Sequence, residues 1–343
     1  MKKINIAIAG ATGFVGLELL NILKKHPNVN IYRLYAQSNL GKSISFFDQR
    51  FSKNKNFPKV SLLKDKDFDN IDVIFTALPH GEAHLISKKI KKNSVLIDLS
   101  ADFRIKDKEI FEHWYKVPHL AMEQQQTAVY GLSEINRKLI KKTNIISCPG
   151  CYPTSILLPL IPLVKNNLIN INNIIVDAKS GYSGAGKKTE DKKLYPNINQ
   201  NIAIYGVGYH RHMPEIDQVL SDNSEKKISI SFTPHLIPTF RGILSTIYLE
   251  LSKNVKTEQI IKCLIKFYKK EKFVKIIDPK NMINTNNVIN SNLCNISVYE
   301  NRFKNKIIIA SSIDNLIKGA AGQAIQNFNI RFGFKEDLAL NSI

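Results

Sequence analysis

Cys151 is the residue of this chain best suited to do chemistry. It stands in Ile145-Ile146-Ser147-Cys148-Pro149-Gly150-Cys151-Tyr152-Pro153-Thr154, where an apolar strand ends, Pro-Gly turns the chain and a helix begins. Pro153 suits an early helical position, because its missing N–H has no intrahelical partner there. A thiol at a helix N-terminus faces the partial positive charge of the leading N–H groups, which favours the nucleophilic thiolate. Pro159, deeper in the same apolar stretch, predicts a kink or an early break of that helix. Other readings of the cysteines stay open. Cys148 and Cys151 have C-x-x-C spacing, which also suits a thiol–disulfide redox pair or half a zinc site, and both can be inert core thiols. Zinc needs two further thiolates or histidines at ligand spacing, and the sequence has no second such pair.

A second constellation lies at Gly208-Tyr209-His210-Arg211-His212-Met213-Pro214-Glu215-Ile216, where two imidazoles flank an arginine. Beside a candidate thiolate they point to general acid–base work. One of the two is the proton donor, since i, i+2 spacing on an extended segment sends side chains to opposite faces. Arg211, and Arg241 in Pro238-Thr239-Phe240-Arg241-Gly242, can clamp a carboxylate or phosphate through paired N–H donors. Glu215 and Arg104 join them as candidates for substrate or proton handling. Between these segments, Asp177 to Lys187 follows a strand and carries Ser180, Gly181, Ser183 and Gly184. So small a loop can bring backbone donors to a flat ring or an oxyanion, the alternative being an ordinary flexible loop.

A third segment reads as a cofactor turn. Gly10-Ala11-Thr12-Gly13-Phe14-Val15-Gly16 follows the strand Ile4 to Ala9 and opens a helix. Glycines there allow a tight turn and close approach of a pyrophosphate to backbone N–H groups. The spacing is G-x-x-G-x-x-G rather than G-x-G-x-x-G, so position in the first strand–helix unit carries the reading. The next strand ends in Tyr35-Ala36-Gln37-Ser38-Asn39-Leu40-Gly41-Lys42, without the carboxylate that would hold a ribose 2′-hydroxyl. Ser38 and Lys42 suit a 2′-phosphate instead, which favours NADP(H) over NAD.

The elements that must position these residues fall into two textures. In the first third, apolar runs at Ile4–Ala9, Ile31–Ala36, Val73–Leu78 and Val95–Leu99 alternate with helical patterns at Phe14–Lys25 and Glu82–Lys91. Such alternation predicts an α/β, doubly wound parallel sheet with right-handed crossovers. Residues 39–66 are polar and read as a surface excursion. After residue 147 come strands at Ile174–Ala178, Ile228–Thr233, Ile243–Leu251, Leu293–Tyr299 and Ile307–Ser312, with fewer helices between them, which predicts an α+β second domain with a mixed or antiparallel sheet. Asn315 to Phe332 reads as a helix rich in small residues, able to lie close to another backbone. The expected division is 1–147 with 315–343 for the dinucleotide, and 148–314 for the substrate.

Composition excludes several classes. The 343 residues include four cysteines, too few for a disulfide scaffold. No apolar run approaches the roughly 20 residues that cross a bilayer, and the basic, then apolar, start runs straight into the glycine turn, so a cytoplasmic protein is expected. The formal charge of +20 is spread over scattered lysines without interleaved aromatics. That reads as a basic surface rather than a nucleic-acid face, and its field would draw in phosphorylated substrates.

Taken together, the chain resembles the N-acetyl-gamma-glutamyl-phosphate reductase family, related to aspartate-semialdehyde dehydrogenase. The resemblance spans nearly the whole chain. It rests on Gly10 to Gly16, Ala77-Leu78-Pro79-His80-Gly81, Asp98-Leu99-Ser100-Ala101-Asp102-Phe103-Arg104, Pro149 to Thr154, Ser180 to Gly186, His210 to Ile216 and Asp314-Asn315-Leu316-Ile317-Lys318-Gly319-Ala320-Ala321-Gly322-Gln323. It implies Cys151 as nucleophile and His210, or alternatively His212, as its acid–base partner. It places the Ser180–Gly186 loop and Asn315 near the nicotinamide, and brings the closing helix back to the cofactor domain. It also implies NADPH-dependent reduction of an acyl phosphate to an aldehyde in arginine biosynthesis, by a homo-oligomer (dimer or tetramer). A sister reductase of aspartyl or aminoadipyl phosphate is the close alternative, and a non-catalytic NADP-binding sensor or RNA-binding protein the distant one. Where the family has asparagine, this chain has Cys148, and Ser155 and Pro159 are also unusual for it.

Overall fold

The computed structural model describes residues 3–54, 56–187, 197 and 200–340. The chain forms two compact units, residues 1–149 with 320–343, and residues 150–319.

The first unit is built on seven parallel strands. In chain order it runs β1 (Ile4–Ala9), α1 (Phe14–Leu23), β2 (Val29–Tyr35), β3 (Val60–Ser61), β4 (Val73–Thr76), α2 (Glu82–Ser87) and β5 (Val95–Asp98). It continues through α3 (Lys108–Tyr115), α4 (Met122–Thr127), β6 (Val129–Tyr130), α5 (Ser133–Ile140) and β7 (Ile145–Ser147). The sheet order is β3-β2-β1-β4-β5-β7-β6, so strand order reverses beside β1, at the start of the glycine turn. In such sheets ligands bind at that reversal, outside the carboxyl ends of the strands. The apolar runs expected as strands become β1, β2, β4 and β5, with every residue of β4 and β5 buried. The 39–66 stretch is more than a surface excursion. Two short 3-10 turns in it bury Ile44 and Phe51 completely, and β3 closes the sheet edge.

The second unit starts with α6 (Cys151–Lys165), followed by β8 (Ile175–Gly181), β9 (Ala203–Ile204), α7 (Met213–Ser224), β10 (Ser231–Ile237) and β11 (Ile243–Glu250). Then come α8 (Thr257–Tyr268), β12 (Val274–Ile276), β13 (Cys294–Glu300) and β14 (Lys306–Ile313). The sheet is mixed, in the order β12-β13-β14-β11-β8-β10-β9, with β8/β10 and β12/β13 parallel and the other pairs antiparallel. The strand β10 begins and ends later than its apolar run. Ile228 and Ile230 are buried, but their N–H groups go to Ser221 Oγ (2.9 Å) and Asp217 Oδ1 (3.0 Å) rather than to a ladder.

The expected break in the helix that Cys151 opens does not occur. Residues Tyr152 to Val164 of α6 are all buried, packed on α7, α8, β11 and β14, and the helix runs through both Pro159 and Pro162. All-round burial supplies what the prolines remove. At Pro162 the replacement is specific. The carbonyl of Leu158, deprived of the N–H that Pro162 lacks, accepts from the hydroxyl of Tyr268 on α8.

The stretch expected as one helix from Asn315 to Phe332 is instead a π-helical turn, Ile317–Ala321, followed by α9 (Gly322–Arg331). The latter packs on α1, α5 and β5 of the first unit. Among the described residues no helix is long and apolar enough to cross a membrane.

Tyr268→Phe leaves the Leu158 carbonyl buried without its donor, so it is expected to lower stability by about 1–3 kcal/mol in urea unfolding. Adding Pro162→Ala restores an N–H and is expected to recover most of that loss. An unchanged midpoint in Tyr268→Phe contradicts the role given to the hydroxyl.

Candidate active site

Cys151 is the first residue of α6, is partly exposed, and has Gly150 as N-cap. The backbone before it is clamped. Gly150 N–H donates to Oε1 of Glu215 at 2.8 Å, and Glu215 is fully buried. A methyl group on Gly150 would lie 2.5 Å from Nε2 of His212, so that imidazole packs directly on the residue preceding Cys151. On another side, a methyl on Gly319 would lie 2.7 Å from Cβ of Cys151. Glycine at 150 and at 319 is therefore a spatial requirement of the thiol's setting.

The two histidines do not diverge. His210 to His212 form a turn leading into α7, closed by Met213 N–H to the His210 carbonyl (2.9 Å), and their ring centroids lie 4.8 Å apart. Both meet the buried Tyr152 ring edge-on, at 5.6 Å for His210 and 6.0 Å for His212. Their settings differ. Nδ1 of His210 accepts from His212 N–H at 3.1 Å, and burial, with the Arg211 cation beside it, pushes His210 down to about 4. His210 is thus neutral near pH 7 and braces the turn. His212 is the imidazole at Gly150. Arg211 is exposed, whereas Glu215 serves as the acceptor for Gly150. Tyr152, which the sequence reading passes over, is the hub: its hydroxyl donates to the His235 carbonyl and accepts from Tyr205, both at 3.2 Å.

Cys148 and Cys151 are both thiols, and their environments separate them. Cys148 is buried, and desolvation raises its thiol to about 12, far from reactivity at neutral pH. Its carbonyl accepts from Nε of Arg104 at 2.8 Å, and Nη2 of Arg104 donates to the Leu99 carbonyl at 3.0 Å. Arg104 is buried, and these bonds anchor the backbone at the end of β7.

The loop after β8 is pinned. It forms a 3-10 turn, Tyr182–Ala185, and Gly181, Tyr182 and Ser183 donate their N–H groups to the carbonyls of Gly242, Thr239 and Phe240. Asn315 holds both sides: Nδ2 donates to Ser183 Oγ (2.9 Å), and Oδ1 accepts from Gly242 N–H (2.7 Å). Ser180 is buried and turns its hydroxyl to the Gly181 carbonyl, while Gly184 comes close to Ser180 Oγ. Arg241 is mostly buried and pairs with Asp314 at 3.3 Å.

Within the first unit the glycine turn has the shape of a dinucleotide cradle. Gly10 has φ +86°, and a methyl there would lie 2.2 Å from the Ala77 carbonyl oxygen; one on Gly16 would lie 2.2 Å from that of Gly10. Between them Thr12 and Gly13 lead into α1, which starts Phe14-Val15 with Gly13 as N-cap and aims its positive end at the turn. Beside it a crevice of about 200 Å³ is lined by Gly10, Tyr35, Ala36, Gln37, Leu78 and Lys89 among others. Such apolar walls suit an adenine ring. Ser38 and Lys42 are exposed beyond β2 and do not line the crevice, and the Lys42 ammonium lies 5.4 Å from the Phe46 ring. Among the described lining residues Lys89 is the cation. Helical periodicity had marked its helix but not its ammonium.

Comparison with known proteins matches these two parts separately. Residues 5–143 match the family model described as semialdehyde dehydrogenase, NAD binding domain, and residues 151–315 the model described as semialdehyde dehydrogenase, dimerisation domain. Over 342 residues the chain is 45% identical to an N-acetyl-gamma-glutamyl-phosphate reductase of Ehrlichia canis, covering 99% of this chain and 98% of that one. The chain belongs to this reductase family. A probable chloroplastic N-acetyl-gamma-glutamyl-phosphate reductase of Arabidopsis thaliana is also 45% identical, over 99% of this chain and 84% of its own length. The fold is shared more widely. Aspartate semialdehyde dehydrogenase II of Vibrio cholerae superposes with a TM-score of 0.72 at 17% identity, over 97% of this chain and 99% of that one. The Candida albicans enzyme, solved with NADP, gives 0.72 at 19%, over 96% and 98%.

In this family member Gly150→Ala is expected to drive His212 off the turn. Alkylation of Cys151 by iodoacetamide should slow about tenfold or more, with the far-ultraviolet circular dichroism retained. A wild-type alkylation rate contradicts the contact between His212 and the thiol's turn.

Proposed function

We propose that this chain reduces N-acetyl-L-glutamyl 5-phosphate to N-acetyl-L-glutamate 5-semialdehyde, releasing phosphate, through a thioester on Cys151 and with NADPH as reductant, in arginine biosynthesis. The observation that carries this is the setting of Cys151: a partly exposed thiol at the first position of a buried helix, with an imidazole on the preceding glycine. The names of the family members support the substrate and the reaction.

The chemistry follows from the residues. His212 takes the proton of Cys151, and the N-terminus of α6 favours the thiolate so formed. The sulfur attacks the γ-carbonyl, the C–O bond to phosphate breaks, and backbone N–H groups at the start of α6 hold the tetrahedral oxyanion. NADPH, when bound, supplies the hydride that reduces the thioester. His212 then places its proton on the resulting oxygen and recovers it as the C–S bond breaks and the semialdehyde leaves. Glu215 and His210 are positioning residues, the one through Gly150 and the other through the His212 backbone. Arg241 is the candidate ligand for a substrate carboxylate, with Arg211 at the exposed rim.

The cofactor fits the first unit, because Gly10 and Gly16 let the turn close tightly against its own backbone and the positive end of α1 faces that turn. Gly10, Thr12, Gly13, Phe14, Val15 and Gly16 would hold it, with Ser38, Lys42 and Lys89 as candidates for the 2′-phosphate and Ser180–Gly184 with Asn315 for the nicotinamide. Residues 1–147 with 315–343 would then serve the cofactor and 148–314 the substrate. A homo-oligomer in the cytoplasm is the proposed working form, in keeping with the description of the second family model.

Cys151→Ser is expected to lose reduction almost completely while NADPH binding, read by fluorescence, persists. His212→Asn is expected to lower kcat by about 10²-fold or more, and His210→Asn by less. Substantial turnover in Cys151→Ser refutes the covalent route, and the reverse order of the two histidine effects returns the acid–base role to His210. Side-by-side assay of N-acetylglutamyl, aspartyl and aminoadipyl phosphates separates this substrate from its sisters. A higher kcat/KM for either sister overturns the assignment.

A further inference from the structure

Asp314 is completely buried and accepts hydrogen bonds on both carboxylate oxygens. Oδ1 takes the N–H groups of Leu316 (2.8 Å) and Ile317 (3.1 Å), capping the turn that becomes the π-helical segment Ile317–Ala321. Oδ2 takes Nη1 of Arg241 (3.3 Å) and the N–H of Asn290 (2.8 Å). The Asp314 carbonyl accepts from Gly319 N–H at 2.9 Å, which fixes the glycine that lies against Cys151. The next residue repeats the arrangement, since Asn315 accepts from the N–H of Gly242, the residue after Arg241. The dipeptide Asp314-Asn315 therefore grips the dipeptide Arg241-Gly242.

We propose that Asp314 is a positioning residue for the reaction: one carboxylate oxygen orients the Arg241 guanidinium toward substrate, and the other holds the turn that seats Gly319 on Cys151. The physical reason is that an arginine offers five N–H donors in a rigid fork. Fixing one edge of that fork on a buried anion sets the direction in which the guanidinium plane faces. A π-helical turn is a costly local geometry, frequent at functional sites, and here a carboxylate stabilises its entry. One buried group thus ties substrate binding to the place of the nucleophile. The proposal rests on the reading that Arg241 binds the substrate.

The two oxygens can be tested apart in the full chain with NADPH. Asp314→Asn keeps an oxygen for Leu316 and Ile317 but turns an amide toward Arg241. It is expected to raise KM for N-acetylglutamyl phosphate at least tenfold and to leave iodoacetamide alkylation of Cys151 within twofold of wild type. Arg241→Met is expected to raise KM similarly, and the double variant no further than the larger single effect. Asp314→Ala removes both acceptors and is expected also to change the Cys151 alkylation rate at least fivefold. If that variant does not fold, Gly319→Ala carries the same readout, because it disturbs the seat directly. A wild-type KM in Asp314→Asn, KM increases that multiply in the double variant, or wild-type alkylation in both Asp314→Ala and Gly319→Ala overturns the proposal. A wild-type KM in Arg241→Met overturns the underlying reading of Arg241 instead, and the coupling falls with it.

Discussion

The hydrogen bond from Gly150 N–H to the buried carboxylate of Glu215 is the constraint on which the chemistry depends. It fixes the backbone one residue before Cys151, so the thiol enters α6 at its first position, where the helix field is strongest. The same glycine admits His212 because it has no side chain. Hydrogen bond and missing methyl act together. The first sets where the chain turns, and the second lets an imidazole reach the turn. His210 and Tyr152 support this from behind. One accepts from the His212 backbone, and the other offers a buried ring on which both imidazoles pack. A histidine pair spaced i, i+2 thus converges because its segment is a turn, and burial keeps one member neutral while the other meets the backbone before Cys151.

Glycines recur where this protein brings its backbone close against another group. Gly10 and Gly16 do so at the cofactor cradle, Gly150 and Gly319 around the thiol, and Gly181 against the Phe240 carbonyl in the loop after β8. In each case a Cβ would fall within 3 Å of its neighbour, closer than side-chain carbons approach other atoms. Larger polar groups then lock the approaches in place. Asn315 bridges Ser183 and Gly242, and Asp314 bridges Arg241 and the π-helical turn. Buried groups of this kind stabilise the fold little, since their desolvation offsets much of the gain. What they confer is a defined arrangement of loops.

Much of this was legible in the sequence. Strands β1, β2, β4 and β5 are apolar runs bounded by turn residues, and Gly10 to Gly16 reads as a turn from its glycines and its place between the first strand and helix. Cys151 at a helix start followed from Pro149-Gly150 before it and Pro153 after it. What stayed hidden depended on partners distant in sequence. Pro159 read as a kink or an early break because local propensity knows nothing of burial on every side, and the Tyr268 hydroxyl that serves the carbonyl opposite Pro162 lies far along the chain. Arg104 read as a candidate for substrate or proton handling, and an arginine in a motif gives no sign of the backbone carbonyls it also holds. His210 and His212 are equivalent by spacing alone. Glu215, 65 residues from the N–H it accepts, and Asp314, 73 residues from Arg241, are acidic residues whose roles no local pattern carries.

The most direct measurement is the mass of the Cys151 peptide after the protein meets N-acetylglutamyl phosphate without NADPH, followed by rapid acid quench. A nucleophilic Cys151 predicts an N-acetylglutamyl adduct on that peptide, at up to one per chain, with phosphate released in equal amount and Cys148 unmodified. Phosphate release with no adduct at Cys151, or an adduct on Cys148, would contradict the mechanism at its root.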